Sequence, residues 1–186
     1  MEIEKKIILK LARKAIKLYL TTNQYLSDIP ELYQDDKISD IYLDKRSCFV
    51  TLKTNEGNLR GCIGNTVATD ALYKNIIQYA VAAATQDPRF MPVKAAELDN
   101  LKIEVSILTI PEPLENLDDF VIGLNGLIIK HQNNSGLLLP QVATEYDLGK
   151  TQFLEHVSQK SGLNTNAYLD ADAKLFKFSA EIFSED

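Results

Sequence analysis

The residues of this chain best suited to chemistry lie in one short run, Leu59-Arg60-Gly61-Cys62-Ile63-Gly64. The run holds one of only two cysteines, set between two glycines and two residues from a guanidinium. Thiolate is the reactive form of cysteine, and a neighbouring cation favours it. Glycines on the flanks remove side-chain bulk, so either the backbone turns there or another group approaches closely. Such a run suggests nucleophilic or redox work by sulfur. The competing reading is a small sulfur packed between strand and helix, since non-disulfide cysteine is among the most buried residue types.

Four other residues are candidates to work with Cys62. Arg60 and Arg89 could grip a carboxylate or phosphate, because a guanidinium fork suits bidentate contact. Both could instead form structural ion pairs with Asp87 or Glu104. Glu104 is a carboxylate inside an apolar stretch, and a buried acid must be paired or shifted in pKa. An Arg60–Glu104 pair across a sheet would satisfy both groups, and it would also place an acid/base group near the sulfur. Gln141, in Leu139-Pro140-Gln141-Val142, would either orient a ligand or tie a backbone turn. Asp87-Pro88-Arg89-Phe90 reads most simply as a helix stop, with Asp87 capping amides and Phe90 filling the core.

Several chemistries are disfavoured. Two Cys and two His at unhelpful spacings argue against a metal site. His131 ends a strand beside a turn and His156 lies on the polar side of its helix, which disfavours a dyad with Cys62. No phosphate-cradling glycine loop, dinucleotide fingerprint or nucleophile elbow occurs. The net charge of −6 argues against general nucleic-acid binding, which relies on cations meeting phosphates. No apolar run approaches the ~20 residues needed to cross a bilayer, and the first twenty residues do not read as a signal peptide. A cytoplasmic location is expected, where two cysteines stay as thiols.

The 186 residues suffice for one well-buried domain with two lobes. With eight Tyr, seven Phe and no Trp, the core must rest on aliphatics and small aromatics. Residues 2–20 read as an amphipathic helix with Ile3, Ile7, Leu11, Ala15 and Leu18 inward, and Lys5, Lys6, Lys10, Arg13, Lys14 and Lys17 on a solvated face. Residues 21–46 are polar and irregular, with Pro30 and an Asp35-Asp36 pair. Cys48 to Lys53 and Leu59 to Gly64 form a hairpin around Asn55-Glu56-Gly57-Asn58. That register puts Thr54 opposite Leu59 and Thr51 opposite Cys62. Arg60, Cys62 and Gly64 then share one face, and Cys48 lies on the other, so no disulfide joins the two cysteines.

A helix capped by Thr69 is expected to run to about Thr85, followed by a short helix near 94–98 and a strand from Leu101 to Leu108. After Ile110-Pro111-Glu112-Pro113 the same order returns. Leu127–His131 and Leu137–Leu139 form a hairpin around 133–136, and a helix from Thr151 to Ser161 stops on Gly162. The final strand, Lys174 to Phe183, would turn Phe176, Phe178, Ala180 and Ile182 to one side. The repeat of hairpin, helix and strand predicts an α+β fold with a mainly antiparallel sheet and a larger and smaller lobe, joined near 110–114. The whole chain, 1–186, is expected to be a single domain.

Four blocks occurring in order, Leu59–Gly64, Asp87–Phe90, Glu104–Leu108 and Gly136–Val142, make the chain resemble the AMME chromosomal region candidate family. In prokaryotes this family is also called AmmeMemoRadiSam system protein A. The resemblance covers about Arg13 to Glu185. It implies the same two-lobed α+β fold and no established reaction or cofactor. It also implies as partners a radical S-adenosylmethionine enzyme and a Memo-like protein, with chemistry on a modified base among the proposals. Asn125, Leu148, Ser158 and Tyr168 depart from the family pattern.

Three functions stay open on sequence. The first is a thiol-dependent enzyme, or enzyme component, in which Cys62 and Glu104 act on an anionic small molecule or modified base held by Arg60, Arg89 and Gln141. The second is a noncatalytic module that binds such a ligand. The third is a protein adaptor for the radical or Memo-like partner.

Overall fold

The computed structural model describes residues 2–27, 29, 33–34, 37–38 and 40–185. Pro30 and the Asp35-Asp36 pair lie outside these residues. The chain divides into two compact units, residues 1–107 with 181–186, and residues 108–180.

The first unit is built on helix α1 (Glu2–Thr22) and helix α3 (Leu72–Thr85), which pack together and cover one face of a sheet. That sheet contains β3 (Cys48–Thr54), β4 (Leu59–Gly64) and β5 (Leu101–Leu108), in the order β4-β3-β5. Strands β1 (Tyr33–Gln34) and β2 (Lys37–Ile38) form a separate small pair, and α2 (Asp40–Leu43) follows them. Ile8, Leu11, Ala12, Ala15 and Ile16 of α1 meet Ile76, Ala80 and Ala83 of α3 and Val50, Leu52, Ile103 and Val105 of the sheet in one core. Small residues on α3 permit a close approach to β4. A Cβ added at Gly61 would stand 2.2 Å from the Ala83 carbonyl oxygen, well inside any permitted contact.

The expected solvated face of α1 needs one correction. Arg13 points into the unit, its Nε donating to Glu185 Oε1 at 2.8 Å and its two Nη groups reaching the carbonyls of Leu98 and Leu101. Its pKa is raised, chiefly by the bond to Glu185. Thr69 is not the cap of α3. The helix begins three residues later, with Ala71 at its N-cap and the Thr69 hydroxyl bonded to Asp70. Phe90 is half-buried and lies under the Arg89 guanidinium at 5.5 Å, so it does not fill the core.

In the second unit the order returns. β6 (Glu112–Pro113) pairs with β9 (Lys174–Ser184), β9 with β7 (Asn125–His131), and β7 with β8 (Asn134–Leu138). Helices α4 (Pro140–Glu145) and α5 (Lys150–Lys160) lie against this sheet over a core of Phe120, Leu127, Ile129, Phe153, Val157 and Leu175. All the described pairings are antiparallel. The α+β reading with two hairpin-helix-strand halves is the observed fold.

Two local expectations fail here. The β7–β8 turn is Gln132-Asn133, with Gln132 at φ 54°, and Asn134, Ser135 and Gly136 belong to the strand. Gly136 sits there because Ser161, just past the end of α5, leaves room for nothing larger, its Oγ 2.3 Å from where a Cβ would stand. On β9, Leu175 and Phe183 are buried while Ile182 is exposed, so the apolar alternation does not name one inner face.

Candidate functional site

Cys62 sits in β4, an edge strand, and is only partly buried. Register sets its neighbours. Thr51 of β3 stands opposite Cys62 on one side and opposite Glu104 of β5 on the other, so the three form one row across the sheet. The Thr51 hydroxyl donates to Cys62 Sγ at 3.3 Å. With strands ~4.8 Å apart, Cys62 and Glu104 are about 10 Å apart along this row. The Glu104 carboxylate is 3.1 Å from Lys53 Nζ, not paired with Arg60.

Arg60 is displaced by a bulge. Leu52 pairs with Gly61 and Lys53 with Leu59, leaving Arg60 as the extra residue on β4. A bulge re-aims the side chain it carries, so the shared face expected for Arg60 and Cys62 is lost. Arg60 instead donates to Glu97 Oε2 at 3.2 Å and to the Met91 carbonyl at 2.9 Å. Glu97 is held below the usual carboxylate range by the Lys94 N–H first, and by Arg60 after it. Arg60 and Glu97 line a cavity of about 450 Å³ with Thr54, Asn55, Glu56, Asn100 and Leu101. Cys62, Arg89 and Glu104 are not part of that lining.

Arg89 does reach Cys62. Asp87 Oδ2 accepts the Cys62 N–H at 2.8 Å, and Arg89 grips both oxygens of Asp87, at 2.9 Å from Nε and 2.7 Å from Nη2. The same Nη2 lies 3.5 Å from the Cys62 carbonyl oxygen. Asp87 is buried, whereas the Arg89 side chain is 54 % exposed. The Arg89 fork holds the Asp87 carboxyl down at about 2, with the Cys62 N–H contributing and burial opposing. Arg89 is raised in turn, by Asp87 foremost and also by the Cys62 sulfur. Asp87 thus caps amides as read from sequence, and Arg89 forms the ion pair with Asp87 that was one of its two readings.

Cys48 faces the core, fully buried, and burial pushes its thiol up to about 12. Neither cysteine forms a disulfide. The glycines beside Cys62 serve packing. Gly61 admits α3, and a Cβ at Gly64 would meet the Cys48 carbonyl oxygen at 2.3 Å. Gln141 is the second residue of α4 in the second unit, not the end of a strand, and its carbonyl accepts the Thr144 hydroxyl. His131 Nε2 lies 3.4 Å from Asp170, and His156 is exposed. Among the described residues no group of His, Cys, Asp and Glu could hold a metal ion.

Residues 9–183, which hold the Cys62 row and its Asp87–Arg89 flank, match the AMMECR1 family model. The chain belongs to the AMMECR1 family. A protein of Methanothermobacter thermautotrophicus is 40% identical to it over 189 residues, covering 98% of this chain and 95% of the relative. A protein of Pyrococcus furiosus is 40% identical over 192 residues, with 96% and 87% covered. The crystal structure of an uncharacterized protein from Pyrococcus horikoshii superposes with a TM-score of 0.89 at 38% identity, covering 96% of this chain and 90% of that one. The fold of this chain is therefore that of a solved structure. No described helix is long and apolar enough to cross a membrane.

Sequence reasoning missed Thr51 as the middle of the row and Lys53 as the partner of Glu104. The signal was present, since the hairpin register already placed Thr51 opposite Cys62. A hydroxyl facing a thiol on one sheet face is a donor for it.

Proposed function

We propose that this AMMECR1-family protein is a thiol-dependent enzyme, or the thiol-bearing component of one, acting on an anionic small molecule or modified base. Cys62 is the reactive group. The observation that carries this reading is the Thr51 hydroxyl donating to a partly exposed sulfur on an edge strand. A hydrogen bond to the charged form of a group favours that form, so Thr51 promotes the thiolate. Arg89, more than half exposed, presents the rest of its guanidinium to an incoming anion beside the sulfur. Glu104, paired to Lys53 one strand beyond Thr51, keeps the charge balance of the row and is not assigned the proton transfer.

A second reading is a noncatalytic ligand- or partner-binding module working with a radical S-adenosylmethionine or Memo-like protein. The cavity at Arg60 and Glu97, set apart from the thiol, favours it. Gln141 has no assigned part in either reading. A reducing, cytoplasmic location suits two thiols without a disulfide.

The test is the pH dependence of Cys62 alkylation by iodoacetamide, in which the thiolate displaces iodide. A midpoint below the ordinary ~8.5 supports the reactive thiol. A midpoint at or above that value overturns it. Retention of ligand or partner binding by Cys62→Ser would then favour the binding module.

A further inference from the structure

On an edge strand, amide groups on the outer side lack a strand partner. At Cys62 two side chains take that place. Asp87 accepts its N–H and Arg89 lies against its carbonyl oxygen, while Arg89 also holds Asp87 through both carboxylate oxygens and Asp87 Oδ1 accepts the Arg89 N–H at 3.1 Å. The result is a closed clamp with a buried acid at its centre and an exposed base on its outer side.

Covalent geometry fixes what this does to the sulfur. An oxygen 2.8 Å from the Cys62 nitrogen stands within about 7 Å of the Sγ of the same residue. A carboxylate at that range opposes the thiolate, and a guanidinium at similar range favours it. The other charged groups near Cys62 are already engaged. Lys53 of β3 is paired with Glu104 of β5, and Arg60 of β4 is held by Glu97. On α3, which covers the opposite face of the sheet, the Tyr79 hydroxyl is raised chiefly by burial, with Cys48 and Asp70 adding to it.

We infer that Asp87 and Arg89 form a charge-balanced clamp that positions Cys62 and sets how readily its sulfur gives up a proton. Asp87 is the positioning residue, acting through the Cys62 amide, and Arg89 is the cation the sulfur draws on. The inference rests on the reading of Cys62 as the reactive group. It adds that the Asp87-Pro88-Arg89 segment regulates that group and is more than a helix stop.

The experiment measures the alkylation midpoint of Cys62 with iodoacetamide in the full chain, for the native protein, Arg89→Gln, Asp87→Asn and the double variant. Cooperative thermal unfolding is the control for folding. Arg89→Gln should raise the midpoint by about one unit, and Asp87→Asn should lower it by a similar amount. The double variant should return close to native. Single variants that keep the native midpoint while folded would overturn the clamp. Should Asp87→Asn fail to fold, Arg89→Gln decides alone, because its side chain is half exposed and an unchanged midpoint there also overturns it. The earlier reading fails separately. An ordinary native midpoint with opposite displacements in the two variants would remove the reactive thiol and keep the clamp.

Discussion

Thr51 and Cys62 face each other across the β3–β4 ladder, and the hydroxyl of one donates to the sulfur of the other at 3.3 Å. The bond requires an O–H, not merely a side chain of that volume. Thr51→Val, which keeps the shape and removes the donor, should raise the alkylation midpoint of Cys62 by about half a unit to one unit. Thr51→Ser should restore it. Equal midpoints for Val and Thr would remove Thr51 from the site.

The two thiols differ sharply in environment. Cys48 is fully buried with its thiol pushed up to about 12, and Cys62 is partly exposed. Native protein treated with iodoacetamide near pH 7.5 should therefore take up one equivalent, all of it at Cys62 by peptide mapping. In denaturant the uptake should reach two equivalents. Early modification of Cys48 in the native state would contradict its full burial.

Elements set by hydrophobic period or by a glycine stop were legible in sequence: α1, the two hairpins, β5, and α5 ending on Gly162 at φ 71°. Within β5, Leu101, Ile103, Val105 and Ile107 all join the core. Features set by tertiary approach were not legible. Composition misplaces the β7–β8 turn because Asn134-Ser135-Gly136 has turn character, and only the arrival of Ser161 explains Gly136 in a strand. Period-2 alternation puts Arg60 on the Cys62 face because it has no means of seeing a bulge. The row of Cys62, Thr51 and Glu104 was half visible. Register supplied the Thr51–Cys62 pair, while the partner of Glu104 proved to be Lys53 on the next strand.

Asp87 makes an acid-stability prediction whose sign follows from its depressed pKa. Its folded value, about 2, lies below the unfolded value near 3.8. The stabilisation is therefore complete above about pH 4 and is lost as pH falls toward 2. The difference corresponds to on the order of 2 kcal/mol for this buried group. Between pH 5 and 2.5 the native protein should lose more thermal stability than Asp87→Asn, which has no such proton to take up. Parallel losses in the two proteins would show that the Arg89 fork does not depress Asp87.

Gly61 tests the packing that places β4. A methyl group there would stand 2.2 Å from the Ala83 carbonyl oxygen, which belongs to helix backbone and cannot rotate away. The helix would have to shift off the strand, and overpacking of this kind typically costs about 1–3 kcal/mol. Gly61→Ala should lower the melting temperature and also move the alkylation midpoint of Cys62, because the strand carrying the sulfur must give as well. Gly149→Ala is the control, since the nearest atom to its added Cβ is a side-chain oxygen at 3.6 Å. It should leave the midpoint at Cys62 unchanged. If Gly61→Ala melted like the native protein, the close approach of α3 to β4 could not be what reserves this position for glycine.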